Sequence, residues 1–158
     1  MSFALPLTDD TVTRRLAAFH GALAAELSGV ADLTSTRDGD FEVFDLRPRR
    51  ADALRVIWVQ CPEDIDLSVG DSFVWTLPRT VESVERIERA VRATVDGRVR
   101  VGTTWARNRY EVDLGDSEVL ANESERWWAS LVAVPWRPRW KWSDAVPYRP
   151  WGELTRAP

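Results

Sequence analysis

Apolar residues recur at helical spacing in two stretches of the chain. Val12, Leu16, Phe19, Leu23 and Leu27 form one stripe, with Thr8 or Asp9 as the expected N-cap and Gly29 as the stop. Val84, Ile87, Val91 and Val95 form a second. Thr80 opens it, because its hydroxyl can accept from the free amides of a first turn, and Gly97 offers the positive φ that closes a helix. On the outer side of this helix Glu82, Glu85 and Glu88 each stand four residues before an arginine. That spacing predicts the intrahelical pairs Glu82–Arg86, Glu85–Arg89 and Glu88–Arg92.

Between and after the helices the pattern shifts to period two or to short apolar runs. Ala31–Arg37 and Asp40–Arg47 flank Asp38-Gly39, a dipeptide that favours a type I′ hairpin. In the second of these strands Phe41, Val43 and Asp45 alternate with Glu42, Phe44 and Leu46, so neither face is cleanly polar and the strand is covered on both sides or lies at a seam. Leu54–Gln60 is nearly continuous in apolar residues, the signature of a central strand, and Cys61-Pro62-Glu63-Asp64 breaks it. Ser72–Leu77 is β-branched and aromatic and stops at Pro78. Arg98–Trp105 resumes as a strand. Tyr110, Val112 and Leu114 then alternate with Arg109, Glu111 and Asp113, which predicts a strand with one wet face, ended by Gly115-Asp116. Glu123–Val134 reads as a short third helix carrying Trp127, Trp128 and Leu131, stopped by Pro135.

Short connections between strands favour antiparallel pairing. The expected fold is therefore a two-layer α+β domain spanning residues 1–158, with two long helices on one face of a mainly antiparallel sheet. Residues 135–158 form a Trp- and Pro-rich C-terminal strap in this reading. Over roughly Thr8–Val134 the order of elements resembles the secretion-chaperone-like fold, in which a helix, a three-stranded meander, a second helix and two more strands alternate. The resemblance implies a protein that docks onto another protein.

Charge sharpens this picture. The chain carries −4 formally, but Arg126–Trp151 holds a net +4, which leaves −8 on Met1–Glu125. An acidic body suits a basic protein partner better than nucleic acid. No apolar run approaches the ~20 residues needed to span a bilayer. Met1–Pro6 has no basic region ahead of an apolar one, so a cytoplasmic location is expected.

Candidate chemistry is sparse. His20 and Cys61 are the single histidine and cysteine, so a Cys–His nucleophile pair is arithmetically available but has no nameable orienting group. They also cannot supply a zinc site of the usual kind. Glu63-Asp64-Ile65-Asp66 lacks the ligand spacing of a calcium loop and reads as a solvated acidic loop or a partner-facing patch. Glycine-rich phosphate loops, dinucleotide fingerprints and nucleophile elbows are absent, so no catalytic residue, metal or cofactor is expected.

The stretch Trp136-Arg137-Pro138-Arg139-Trp140-Lys141-Trp142 alternates indoles with cations. An extended chain of this kind suits base stacking, a membrane interface, or a strap that buries its indoles and leaves its cations in water. Pro135, Pro138, Pro147 and Pro150 favour the strap.

The expected function is a non-enzymatic protein-binding module, of the immunity-type inhibitor or secretion-chaperone-like kind. Glu63, Asp64, Asp66, Asp71, Asp113 and Asp116 would supply its acidic contacts. The rival is a small-molecule binder or enzyme whose pocket lies between sheet and helices. It would be lined by Trp58, Trp75 and Trp105 with Arg55, Arg107 and Arg109, because indoles and guanidinium groups suit a planar anion.

Overall fold

The computed structural model describes residues 7–70, 74–105, 107–125 and 139–149, with 123–125 described by main chain only. Helix α1 (Thr11–Glu26) leads into β1 (Ala31–Asp38), β2 (Phe41–Pro48), β3 (Val56–Gln60), β4 (Asp64–Val69) and β5 (Val74–Pro78). Helix α2 (Val81–Val95) follows, then β6 (Val99–Thr103), β7 (Arg107–Gly115), β8 (Glu118–Glu125) and β9 (Lys141–Asp144). The first five strands form one antiparallel meander in chain order, and the last four form a second sheet ordered β8-β7-β6-β9. The α+β class and the antiparallel pairing match the sequence reading. The strands, however, divide between two sheets, and five of them, not three, lie between the helices. The element order therefore departs from the secretion-chaperone-like one.

Sheet register explains where the core lies. Phe44, Trp58, Leu67 and Trp75 stand opposite one another on β2 to β5, with Leu46, Val56 and Val69 as the neighbouring row. All are buried, while the alternate residues of these strands are more exposed, so one face of the meander carries the core. Helix α1 covers it with Val12, Leu16, Phe19 and Leu23, and the Phe19 ring lies 6.0 Å from that of Trp58. Helix α2 touches α1 and β4 and packs on β7, whose Val112 and Leu114 join the same core.

Local signals decide the ends of the elements. Helix α1 is capped by Asp10, not Thr8 or Asp9: its carboxylate accepts from the Thr13 amide at 3.0 Å. Arg79 selects that residue, because its almost buried guanidinium also binds the Asp10 carboxylate and holds it well below the usual carboxylate range. Thr80 and Gly97 (φ 76) end α2 as expected. The hairpin between β1 and β2 turns on Gly39-Asp40, with positive φ at Gly39 alone, the pattern of a type II′ rather than a type I′ turn. Asp116 and Ser117, both at positive φ, make the two-residue β7–β8 turn.

Three expectations are corrected. Asp64–Val69 is a strand, not an acidic loop. Glu123–Glu125 ends β8 and does not begin a helix, while the rest of that proposed helix lies outside the described residues. The α2 glutamates and arginines also look outward from their own helix. Arg15 of α1 bridges Glu85 and Glu88, Arg86 and Arg89 share Glu118 of β8, and Arg92 reaches Glu26.

The described part of the tail packs on both sheets, while Trp127, Trp128, Trp136 and Trp151 lie outside the described residues. Strand β9 adds an edge to the second sheet, and Trp140 and Trp142 lie across Gly102 on the side of β6 away from Val99 and Val101. A Cβ at Gly102 would come within 2.9 Å of the Trp142 ring, so the bare backbone there is what admits the pair. Trp142 stays 38% exposed, with the Arg100 guanidinium 4.7 Å from its ring centre. The chain then crosses to the first sheet, where Tyr148 is fully buried and donates its hydroxyl to the Leu54 carbonyl at 2.5 Å. Among the described residues, no helix is long and apolar enough to cross a membrane.

Tyr148 and not Trp142 should therefore hold the strap. Truncating a buried aromatic costs about 3–5 kcal/mol, so Tyr148→Ala should lower the urea midpoint far more than Trp142→Ala. Equal midpoints for the two variants would refute the assignment. A second expectation concerns His20, which packs 5.3 Å from Phe44 and whose pKa burial lowers beneath 6.5. The unfolded chain then binds the proton more readily, so His20 contributes stability that is present above pH 6.5 and lost as pH falls towards the folded pKa. Urea midpoints between neutral and mildly acidic pH should fall less steeply in His20→Gln than in the wild type.

Candidate functional site

The meander gathers acidic residues at one end. Glu42 stands opposite Gln60, and Gln60 opposite Ile65, so the β1–β2 and β3–β4 turns lie side by side. Asp38, Asp40, Glu63, Asp64 and Asp66 are thereby brought together. Their proximity is felt by Cys61, whose thiol is pushed up first by burial and then by the charges of Asp64, Asp66 and Asp40. On the face away from the helices, Val43, Val59 and Asp66 share one row. Continuing the alternation sets Phe41, Cys61 and Asp64 in the next row, and Phe41 is 36% exposed.

Most carboxylates elsewhere have an arginine, as with Asp10, Glu26, Asp32, Asp45, Asp52, Glu85, Glu88, Asp96, Glu111 and Glu118. Asp38, Asp40, Glu63, Asp64 and Asp66 have no ion pair among the described residues. Asp66 accepts instead from the Thr76 hydroxyl at 2.6 Å. An exposed aromatic beside uncompensated negative charge is a surface suited to a cationic protein face, with the ring as anchor and the carboxylates steering approach.

The opposite end of the meander is basic. Arg55 grips Asp45 through two bonds at 2.7 and 2.6 Å, Arg47 adds a third at 3.1 Å, and Asp45 is consequently held below the ordinary aspartate range. Arg50 grips Asp52, and Arg49 reaches Asp32.

The remaining expected site residues scatter. Asp71 lies outside the described residues. Asp113 and Asp116 belong to β7 and its turn on the other sheet. Trp58 is buried and stacked 5.3 Å from Phe44, and Trp75 is buried with its indole donating to the Ala121 carbonyl. Trp105 is exposed after β6, and Arg55 stands at the basic end of the first sheet. Arg107 and Arg109 alternate with the core-facing residues of β7, and Arg109 pairs with Glu111. Among the described residues, these six lie on different elements and on different faces of the two sheets. Asp38, Asp40 and Phe41 were missed because only the pairing of two hairpins brings them beside Glu63–Asp66.

A Cys–His pair is not formed. His20 packs on Phe44 and Trp58 on the core face, whereas Cys61 alternates onto the other face, so the sheet stands between them. No group of three His, Cys, Asp or Glu side chains is placed to hold a metal ion among the described residues. With its thiol pushed up by burial and by neighbouring aspartates, Cys61 should alkylate more slowly than a free thiol at neutral pH. Asp64→Asn with Asp66→Asn should speed the reaction. Fast labelling that His20→Ala abolishes would restore a catalytic pair.

No protein-family model, curated protein or solved structure matches the chain.

Proposed function

We propose that this chain is a non-enzymatic protein-binding module that docks the basic surface of another protein against the acidic end of its five-stranded sheet. One observation carries the reading: Asp38, Asp40, Glu63, Asp64 and Asp66 cluster without an ion pair among the described residues, beside the exposed Phe41. Natural surfaces that leave such charge uncompensated gain association rate with a partner of opposite sign. An immunity-type inhibitor that occludes a basic active site, and a chaperone that escorts a secreted substrate, are two forms this docking takes.

Tagged protein and an Asp64→Lys, Asp66→Lys variant, applied in parallel to extract of the native cell, test the reading. Both aspartates are partly exposed on β4, so the variant should keep the wild-type circular dichroism. The expected result is a partner retained by the wild type and lost by the variant, associating more slowly as salt rises. A partner retained equally by both, at a rate indifferent to salt, would sink the proposal. Co-expression with the product of the adjoining open reading frame is the most direct source of that partner.

A further inference from the structure

The side of the five-stranded sheet away from the core carries a stripe of its own. Register and alternation put Phe41, Val43 and Asp45 of β2 there, beside Cys61, Val59 and Ile57 of β3. Asp38 of β1 flanks them on one side, opposite Phe41, and Asp64 and Asp66 of β4 flank them on the other. Among the described residues, both helices pack on the opposite face, and none of the six central side chains is buried.

The dimensions of the stripe select what can cover it. Two neighbouring strands make it about 10 Å wide, and the positions from Phe41 to Asp45 make it about 14 Å long. An α-helix is about 10 Å across, and roughly nine of its residues span that length. Backbone chemistry selects the same occupant. Strands β2 and β3 are interior and spend their amides and carbonyls on their neighbours. This face therefore offers an incoming chain no main-chain partner. A lone strand or a loop laid on it would bury polar groups unmet, whereas a helix satisfies its own.

Charge selects the kind of helix. Asp38, Asp64 and Asp66 border the stripe towards the turns, and none has an ion pair among the described residues. Lysines or arginines beside the apolar positions of a helix would meet these carboxylates, and the positive N-terminal end of the helix is drawn to the same place. We propose, building on the acidic docking reading, that this face seats a basic amphipathic helix of the partner protein. The helix lies along β2 and β3 with apolar anchors at i, i+3, i+4 and i+7, and its N-terminal turn stands at the three aspartates.

Fluorescence anisotropy of a labelled Lys/Leu peptide of about 14 residues, its leucines at helical spacing, tests this on the full chain. A peptide of the same composition in strict alternation is the extended control, and a Glu/Leu helix is the charge control. The basic helix should bind saturably in low salt, and both controls should bind at least about tenfold more weakly. Val43→Thr with Val59→Thr keeps β-branching on the outer face, so it should leave the melting temperature near that of the wild type yet weaken the basic helix by about tenfold. Bound peptide should also slow alkylation of Cys61, the single cysteine, which lies in the stripe. Failure to saturate, equal binding of either control, affinity unchanged in the valine variant, or an unshielded Cys61 would overturn the assignment. So would a dimer of this chain that the valine substitutions dissociate, because a second copy would then occupy the face. A cellular partner lost by the Asp64→Lys, Asp66→Lys variant but kept by the valine variant would leave the acidic docking standing and remove the helix.

Discussion

The architecture depends on α2 being buried on more than one side. A helix laid on a single sheet needs an apolar stripe of roughly 100°. In α2 the buried positions Ser83, Val84, Ile87, Ala90, Val91, Ala93, Thr94 and Val95 cover about half the circumference. Large aliphatics occupy one flank and alanines the other. That breadth lets one helix contact α1, touch β4 and close the inner side of β7 within a single core. Without it, Val99, Val112 and Leu114 of the second sheet would lack a cover. The charged residues left on the remaining face then reach α1 and β8, because both lie within an arginine's length on either side.

Arginine does most of this electrostatic work, and its geometry shows why lysine would serve poorly. Arg15 spans two glutamates, Arg55 clasps both oxygens of Asp45, and Arg79 joins Asp10 to the Thr13 hydroxyl. Each arrangement uses a planar fork with several fixed donors, which a point-charge ammonium cannot reproduce. Consuming so many carboxylates in such pairs is also what makes the uncompensated group at the turns of the meander stand out.

The helices, the first three strands and the Thr80 and Gly97 boundaries were legible because apolar periodicity and capping residues agree there. Strand β4 carried the signal too: Asp64, Asp66 and Ser68 alternate with Ile65, Leu67 and Val69. Its aspartates suggested a loop, yet they merely occupy the outward side of a half-buried strand. Strand β8 is polar over most of its length, and Asp116-Ser117 achieves two positive φ values without glycine, so little in composition announces that hairpin. Glu63, Asp64 and Asp66 could be picked out as a site because they are neighbours in sequence. Asp38 and Phe41 could not, because register alone brings them there.

The Tyr148–Leu54 contact has a consequence for synthesis of the chain. The bond closes over 94 residues, and Ala53 bridges Val146 beside it. A ribosome adds roughly 5–20 residues per second, so the β2–β3 connection waits several seconds for its cover. Through that interval the emerging protein exposes the apolar floor that Tyr148 later seals. A segment made long after the first sheet thus completes it, and the β2–β3 connection stays open to chaperones and proteases until Tyr148 has emerged.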